Sequence, residues 1–166
     1  MADAFPAGFV RCVTGDADPA RLGACDAHEH LAIAGAFVEA RWPDYLLDEP
    51  ARLVGDLRDF RTAGGGWLVD AMPTGAGRSV RRLVELSAET GVSIVAATGV
   101  HLPIYYPDEH PLLRMGAAGL TEVFVREIEA GVDDGDGLVC DRRGRPVRAG
   151  VIKVAGDRPK LSAFQR

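Results

Sequence analysis

A chain of 166 residues with 47% hydrophobic and 26% charged side chains is long enough for one domain with a real core and has an ordinary globular composition. Its net charge of −5, its pI near 5.3 and its dispersed basic residues argue against a nucleic-acid partner. The longest apolar run, Leu31 to Val38, is too short to cross a bilayer, and Met1-Ala2-Asp3-Ala4 lacks the basic start of a leader, so neither a membrane protein nor an exported one is expected.

Cys12, Cys25 and Cys140 are odd in number and show no C-x-x-C spacing, as in a reduced, cytoplasmic protein. Phe9 to Val13 and Arg21 to Cys25 read as two strands around the turn-rich Gly15-Asp16-Ala17-Asp18-Pro19. They make an N-terminal hairpin leading into a strand that carries His28 and His30. Residues 34–50 are interrupted by Gly35, Trp42-Pro43-Asp44 and Glu49-Pro50 and read as loop. Ala51 to Thr62 has Leu53, Val54, Leu57 and Phe60 at helical spacing and stops at Gly64-Gly65-Gly66. Trp67 to Met72 is a nearly continuous apolar strand, the kind buried on both faces of a parallel sheet.

Ser79 is placed to cap a second helix from Val80 to Thr90, which Gly91 ends. Val92 to Thr98 is the next strand, followed by a long loop from Gly99 through His101 and Tyr105 to Gly119. Thr121 is placed to cap a third helix ending near Ala130. A polar, glycine-rich excursion covers 131–148, and Ala149 to Ala155 is a fourth strand. Residues 156–166 read as loop and the first turn of another helix. Alternating strands and helices predict a parallel α/β sheet, either doubly wound or part of a (β/α)8 barrel. A dinucleotide fingerprint is absent, because residue 80, where Gly75-Ala76-Gly77 would need a glycine, is valine; no P-loop is present.

Two stretches carry chemistry. In Asp26-Ala27-His28-Glu29-His30-Leu31 a strand puts both imidazoles on one face, where they can share a divalent metal. On its own an H-x-H pair is a weak signal, better read as two solvated histidines at a strand end; the second stretch changes that balance. The second stretch is Val151-Ile152-Lys153-Val154-Ala155. Only Lys153 and Lys160 among the 19 basic residues are lysine, so a lysine kept in an apolar strand is read as needed for its amine. Burial would lower its pKa and prepare it for a Schiff base or for capture of carbon dioxide as a carbamate. The alternative is a lysine that snorkels or pairs with a carboxylate.

Together these stretches resemble the phosphotriesterase-like branch of the amidohydrolase superfamily, of aryldialkylphosphatase and lactonase type. The likeness also runs through Gly65-Gly66-x-Leu68-Val69-Asp70, Gly75-x-Gly77-Arg78, Val95-Ala96-Ala97-Thr98-Gly99, Arg126-Glu127-Ile128-Glu129-x-Gly131 and Arg148-Ala149-Gly150. It implies a single partial domain over 1–166: the N-terminal half of a (β/α)8 TIM-type barrel, parallel strands one to four behind a β-hairpin. It also implies two divalent metal ions, zinc first, cobalt or manganese otherwise. His28 and His30 would hold the more buried ion and Lys153, as N6-carboxylysine, would bridge the pair. His101 falls at a pocket-wall position, with Tyr105 beside it; Asp70 supports the site, and Arg78 pairs with a carboxylate near the barrel mouth.

The implied chemistry is hydrolysis of a small-molecule ester, an organophosphate triester or a lactone, by a metal-activated hydroxide. The family's remaining ligands, from strands five, six and eight, lie beyond Arg166. The expectation is a truncated hydrolase, inactive alone or active only with a complementing C-terminal half. Its open sheet edges invite pairing, including a homodimer. Two other readings remain: a non-catalytic α/β remnant that binds a partner through those edges, and a Schiff-base lyase using Lys153.

Overall fold

The computed structural model describes residues 8–156. Strands β1 (Val10–Cys12) and β2 (Gly15–Ala17) form an antiparallel ribbon that turns at Val13-Thr14. The hairpin is present, but its second strand is not Arg21–Cys25. Gly15, at φ 122°, lets the chain reverse earlier than expected. Asp18 then caps a 3-10 turn, Pro19–Arg21, by accepting from the Ala20 N–H at 2.9 Å, and the chain becomes extended again as β3 (Ala24–Glu29).

Strands β3, β4 (Gly65–Asp70), β5 (Ser93–Val100) and β6 (Val151–Val154) make one parallel sheet. Their spatial order is their chain order. A doubly wound sheet reverses that order at a switch point; half a (β/α)8 barrel does not. The crossovers are α1 (Ala36–Arg41) with α2 (Pro50–Thr62), then α3 (Val80–Thr90), then α4 (Ala117–Glu129). Leu53, Leu57, Leu83 and Val84 from α2 and α3 close over Leu68, Ile94 and Ala96 of the sheet. Pro50 begins α2, where its missing N–H costs nothing.

Several boundaries differ from expectation for local reasons. Gly65 and Gly66 open β4 rather than ending the helix, since a Cβ on Gly66 would stand 1.6 Å from the Leu22 carbonyl oxygen. Residues 34–50 hold α1 and a 3-10 turn, Pro43–Tyr45, in what reads as loop. Thr121 does not cap α4. It lies inside the helix, which starts after Gly116, and its hydroxyl donates to the Ala117 carbonyl at 2.8 Å. The excursion over 131–148 is pinned by buried Val132, Val139 and Val147, whose backbones bond to one another. The loop and helical turn expected over 156–166 fall, after residue 156, outside the described residues.

The sheet edges are exposed. Side chains of β3 are mostly open to solvent, and on β6 Val151, Ile152 and Val154 are 37%, 51% and 57% exposed. Among the described residues no helix is long and apolar enough to cross a membrane.

Candidate metal centre and substrate cavity

The C-terminal ends of the parallel strands meet in one place. His30 follows β3, Asp70 ends β4, His101 follows β5 and Lys153 lies in β6. Gly99 sets the height of Lys153: the two are register partners, and a Cβ on Gly99 would lie 1.9 Å from the Lys153 carbonyl oxygen. At φ 121° only glycine sits there without strain.

The rings of His28 and His30 lie edge to face with centroids 5.4 Å apart. Carboxylates hold both backbones, Asp26 accepting from the His28 N–H at 3.1 Å and Glu29 from the His30 N–H at 2.8 Å. His28 is exposed and His30 half-buried. Burial lowers the His30 pKa; the charges of Lys153 and His28 lower it further, and Glu29 opposes them. Its Nδ1 is buried with no hydrogen-bond partner. Burial, then Lys153 and His30, bring His101 down to about 4. Lys153 is itself lowered by burial, with Asp70 acting the other way. Lys153 thus lies within electrostatic reach of both imidazoles. It is half-buried, which corrects the sequence reading of a buried amine: no strand covers the outer edge of β6 in the described residues.

Asp70 is 1% exposed and ties the strand ends together. Its Oδ2 accepts from the Leu31 N–H at 2.8 Å and its Oδ1 from the Met72 N–H at 3.0 Å. Burial pushes its carboxyl up to about 6, against those hydrogen bonds and Arg78. Asp70→Asn places an amide N–H against a backbone N–H. It is expected to cost about 1–3 kcal/mol, read as a lowered urea midpoint with unchanged slope.

Arg78 does not reach the strand ends as a free cation. It is 8% exposed and forks onto Glu127 of α4, Nη1 to Oε2 at 2.9 Å and Nη2 to Oε1 at 2.8 Å, while Nη1 also donates to the Ala97 carbonyl at 2.7 Å. Thr74 donates to the same Glu127 carboxylate at 2.8 Å. Glu127 went unread as a site residue, though a signal existed: it sits one helical turn after Val123, on the inward stripe, where an acid needs a partner. Tyr106 was also missed. Its hydroxyl accepts from the His101 N–H at 2.8 Å and donates to the Thr74 carbonyl at 3.0 Å, joining two strand-end loops.

Beside the imidazoles lies a cavity of about 340 Å3. His30 and His101 line one side; Met72, Ala76, Ile33 and Leu47 form its apolar floor. Tyr105 is on the wall as expected, its ring 4.2 Å from that of His101. Trp42 and Tyr45 complete the wall, from residues read only as loop. In a barrel the loops after the strands build the site, so an aromatic pair there was the available clue.

Among the described residues no three His, Cys, Asp or Glu side chains form a ready metal cluster. What converges is two imidazoles and an amine. The donor chemistry fits a metal: His30 is disposed to be neutral, and its buried Nδ1 is unclaimed.

The model of the phosphotriesterase family matches residues 8–166. A phosphotriesterase homology protein of Mycobacterium tuberculosis is 31% identical over 89% of this chain and 45% of its own length. A phospho-furanose lactonase of Mycoplasmopsis agalactiae is 29% identical over 95% of this chain and 47% of its own. The crystal structure of a lactonase from Listeria monocytogenes superposes with a TM-score of 0.76 and 26% identity, over 95% of this chain and 50% of that one. The chain spans about half the length of the relatives it matches.

Proposed function

The chain belongs to the phosphotriesterase family, and from that premise we propose that it supplies the first half of a metal-dependent hydrolase site for an uncharged phosphotriester, a lactone or another ester. The observation that supports this reading most is the convergence of His30, His101 and Lys153 at the strand ends, within electrostatic reach of one another and beside a cavity that both imidazoles line.

In this reading His28 and His30 are ligands through neutral imidazole nitrogens. Lys153, its pKa lowered by burial, presents more free amine near neutral pH than an exposed lysine. That amine adds to carbon dioxide: an N–C bond forms, a proton leaves to solvent, and the resulting carbamate offers two oxygens that share one negative charge. Divalent ions held there supply polarisation of the ester oxygen and acidify water. Asp70 fixes the backbone just after His30, and Tyr106 fixes that of His101, so both rings keep their place against the substrate. Zinc, cobalt and manganese all suit the donors proposed.

The test is hydrolysis. A polypeptide in which these residues are joined or complemented by the remaining strands of the family barrel is expected to hydrolyse aryl triesters or lactones. It should lose that activity on chelation and regain it with zinc. Chelator-insensitive hydrolysis would overturn the proposal. Lys153 also favours a second reading, a Schiff-base lyase, because its amine is lowered by burial. Borohydride trapping of a carbonyl substrate on Lys153 without metal would select that one.

A further inference from the structure

We infer that His101 donates a hydrogen bond from its distal ring nitrogen to an oxygen of the bound ester and is not a metal ligand; the inference deepens the hydrolase reading above and rests on it. His30 and His101 both line the cavity, but their hydrogen bonds set them apart. The His101 Nδ1 accepts from the Leu102 N–H at 2.8 Å, whereas the His30 Nδ1 makes no such bond among the described residues. A ring nitrogen that accepts carries no proton. His101 is therefore the neutral imidazole whose one proton sits on Nε2. A nitrogen bearing that proton has no lone pair to give a metal. For the same reason His101 is no general base, since its lone pair is engaged by Leu102.

The donor is also held in place. The His101 backbone N–H donates to the Tyr106 hydroxyl at 2.8 Å, and that hydroxyl donates in turn to the Thr74 carbonyl at 3.0 Å. Tyr105 stands nearly edge to face against the ring, at 4.2 Å and 69°. A donor fixed before the substrate arrives needs no reorganisation, and its bond strengthens most where negative charge grows. In ester hydrolysis that charge grows on the ester oxygens as hydroxide adds. The proton stays on Nε2 throughout, so the bond tightens and no proton is transferred.

The experiment reads the protonation of each ring nitrogen in the 15N-histidine-labelled chain by long-range 15N–1H correlation NMR, with His101 assigned through His101→Phe. A protonated Nε2 and a bare Nδ1 are expected for His101 at neutral pH, unchanged by zinc, while His28 and His30 respond to it. Leu102 has φ −61°, which proline adopts, so Leu102→Pro removes the N–H and is expected to release the ring into a mixture of tautomers. Dihydrocoumarin is expected to move the His101 Nε2 resonance saturably. Ligand-observed NMR should find its affinity about tenfold weaker in His101→Phe, which keeps a ring without an N–H, and restored in His101→Gln, which supplies an amide N–H. The inference is overturned by zinc on the His101 Nε2, a proton on its Nδ1, an unchanged tautomer in Leu102→Pro, an unmoved Nε2 resonance, or equal lactone affinity in His101→Phe. With His28 and His30 responding to zinc, such an outcome sinks only this inference. If neither responds, the hydrolase reading falls and takes the inference with it.

Discussion

Glu127→Ala is expected to remove about 3–5 kcal/mol of unfolding free energy, because it strands a buried guanidinium. The side chains of Arg78 and Glu127 are each 2% exposed and joined by two bonds. Asp134 cannot take over: its Oδ1 stands 3.8 Å from Arg78 Nε, and neither atom has a hydrogen-bond partner. The measurement is the urea midpoint at constant slope. A loss below about 1 kcal/mol would mean the guanidinium behaves like one at the surface.

The pair also fixes the sign of a pH effect. Burial alone would raise the Glu127 carboxyl, but the hydrogen bonds and charge of Arg78, with Thr98 and Thr74, outweigh it and hold the pKa below its ordinary 4.5. A depressed folded-state pKa contributes stability that is complete above the unfolded value and is lost as pH falls through the folded one. In a variant that keeps Glu127 but loses Arg78, burial is left to raise that carboxyl, so Glu127 should stop contributing to acid unfolding and the variant's stability deficit against the unaltered chain should shrink as pH falls.

His30→Ala is expected to weaken zinc binding at least about a hundredfold, since even an outer partner of a metal ligand is worth roughly 10–100-fold in affinity. His30 is the better buried imidazole of the pair, its Nδ1 is unclaimed, and Asp70 anchors the residue after it. Competition against a chromophoric chelator measures the change. Equal zinc affinity in His30→Ala and the unaltered chain would remove this residue from the metal site.

The sheet was legible because its strands are apolar runs separated by amphipathic helices, and that alternation leaves few topologies. Alternation alone left two architectures open; the unreversed strand order found in the structure separates them. The hairpin partner was misassigned because Arg21–Cys25 is as strand-like as Gly15–Ala17. Only the Asp18 cap and the Gly15 turn decide between them, and both are local backbone features that strand-like composition does not register.

The same limit explains the site. His28, His30 and Lys153 stand out because imidazole pairs and a rare lysine are chemically conspicuous. Trp42, Tyr45 and Tyr106 look like ordinary loop aromatics until the strand ends bring their segments together. Arg78 suggested a carboxylate partner, but nothing in its own neighbourhood along the chain names a residue 49 positions away.

The central proposal is that Lys153 works as a carbamate beside the two histidines. The direct measurement is the 13C NMR spectrum of the chain in 13C-bicarbonate with zinc. A carbamate carbon signal is expected that strengthens with zinc, disappears in Lys153→Arg, and weakens when His28 and His30 are both replaced by alanine. A spectrum without that signal, or one unchanged in Lys153→Arg, would contradict it.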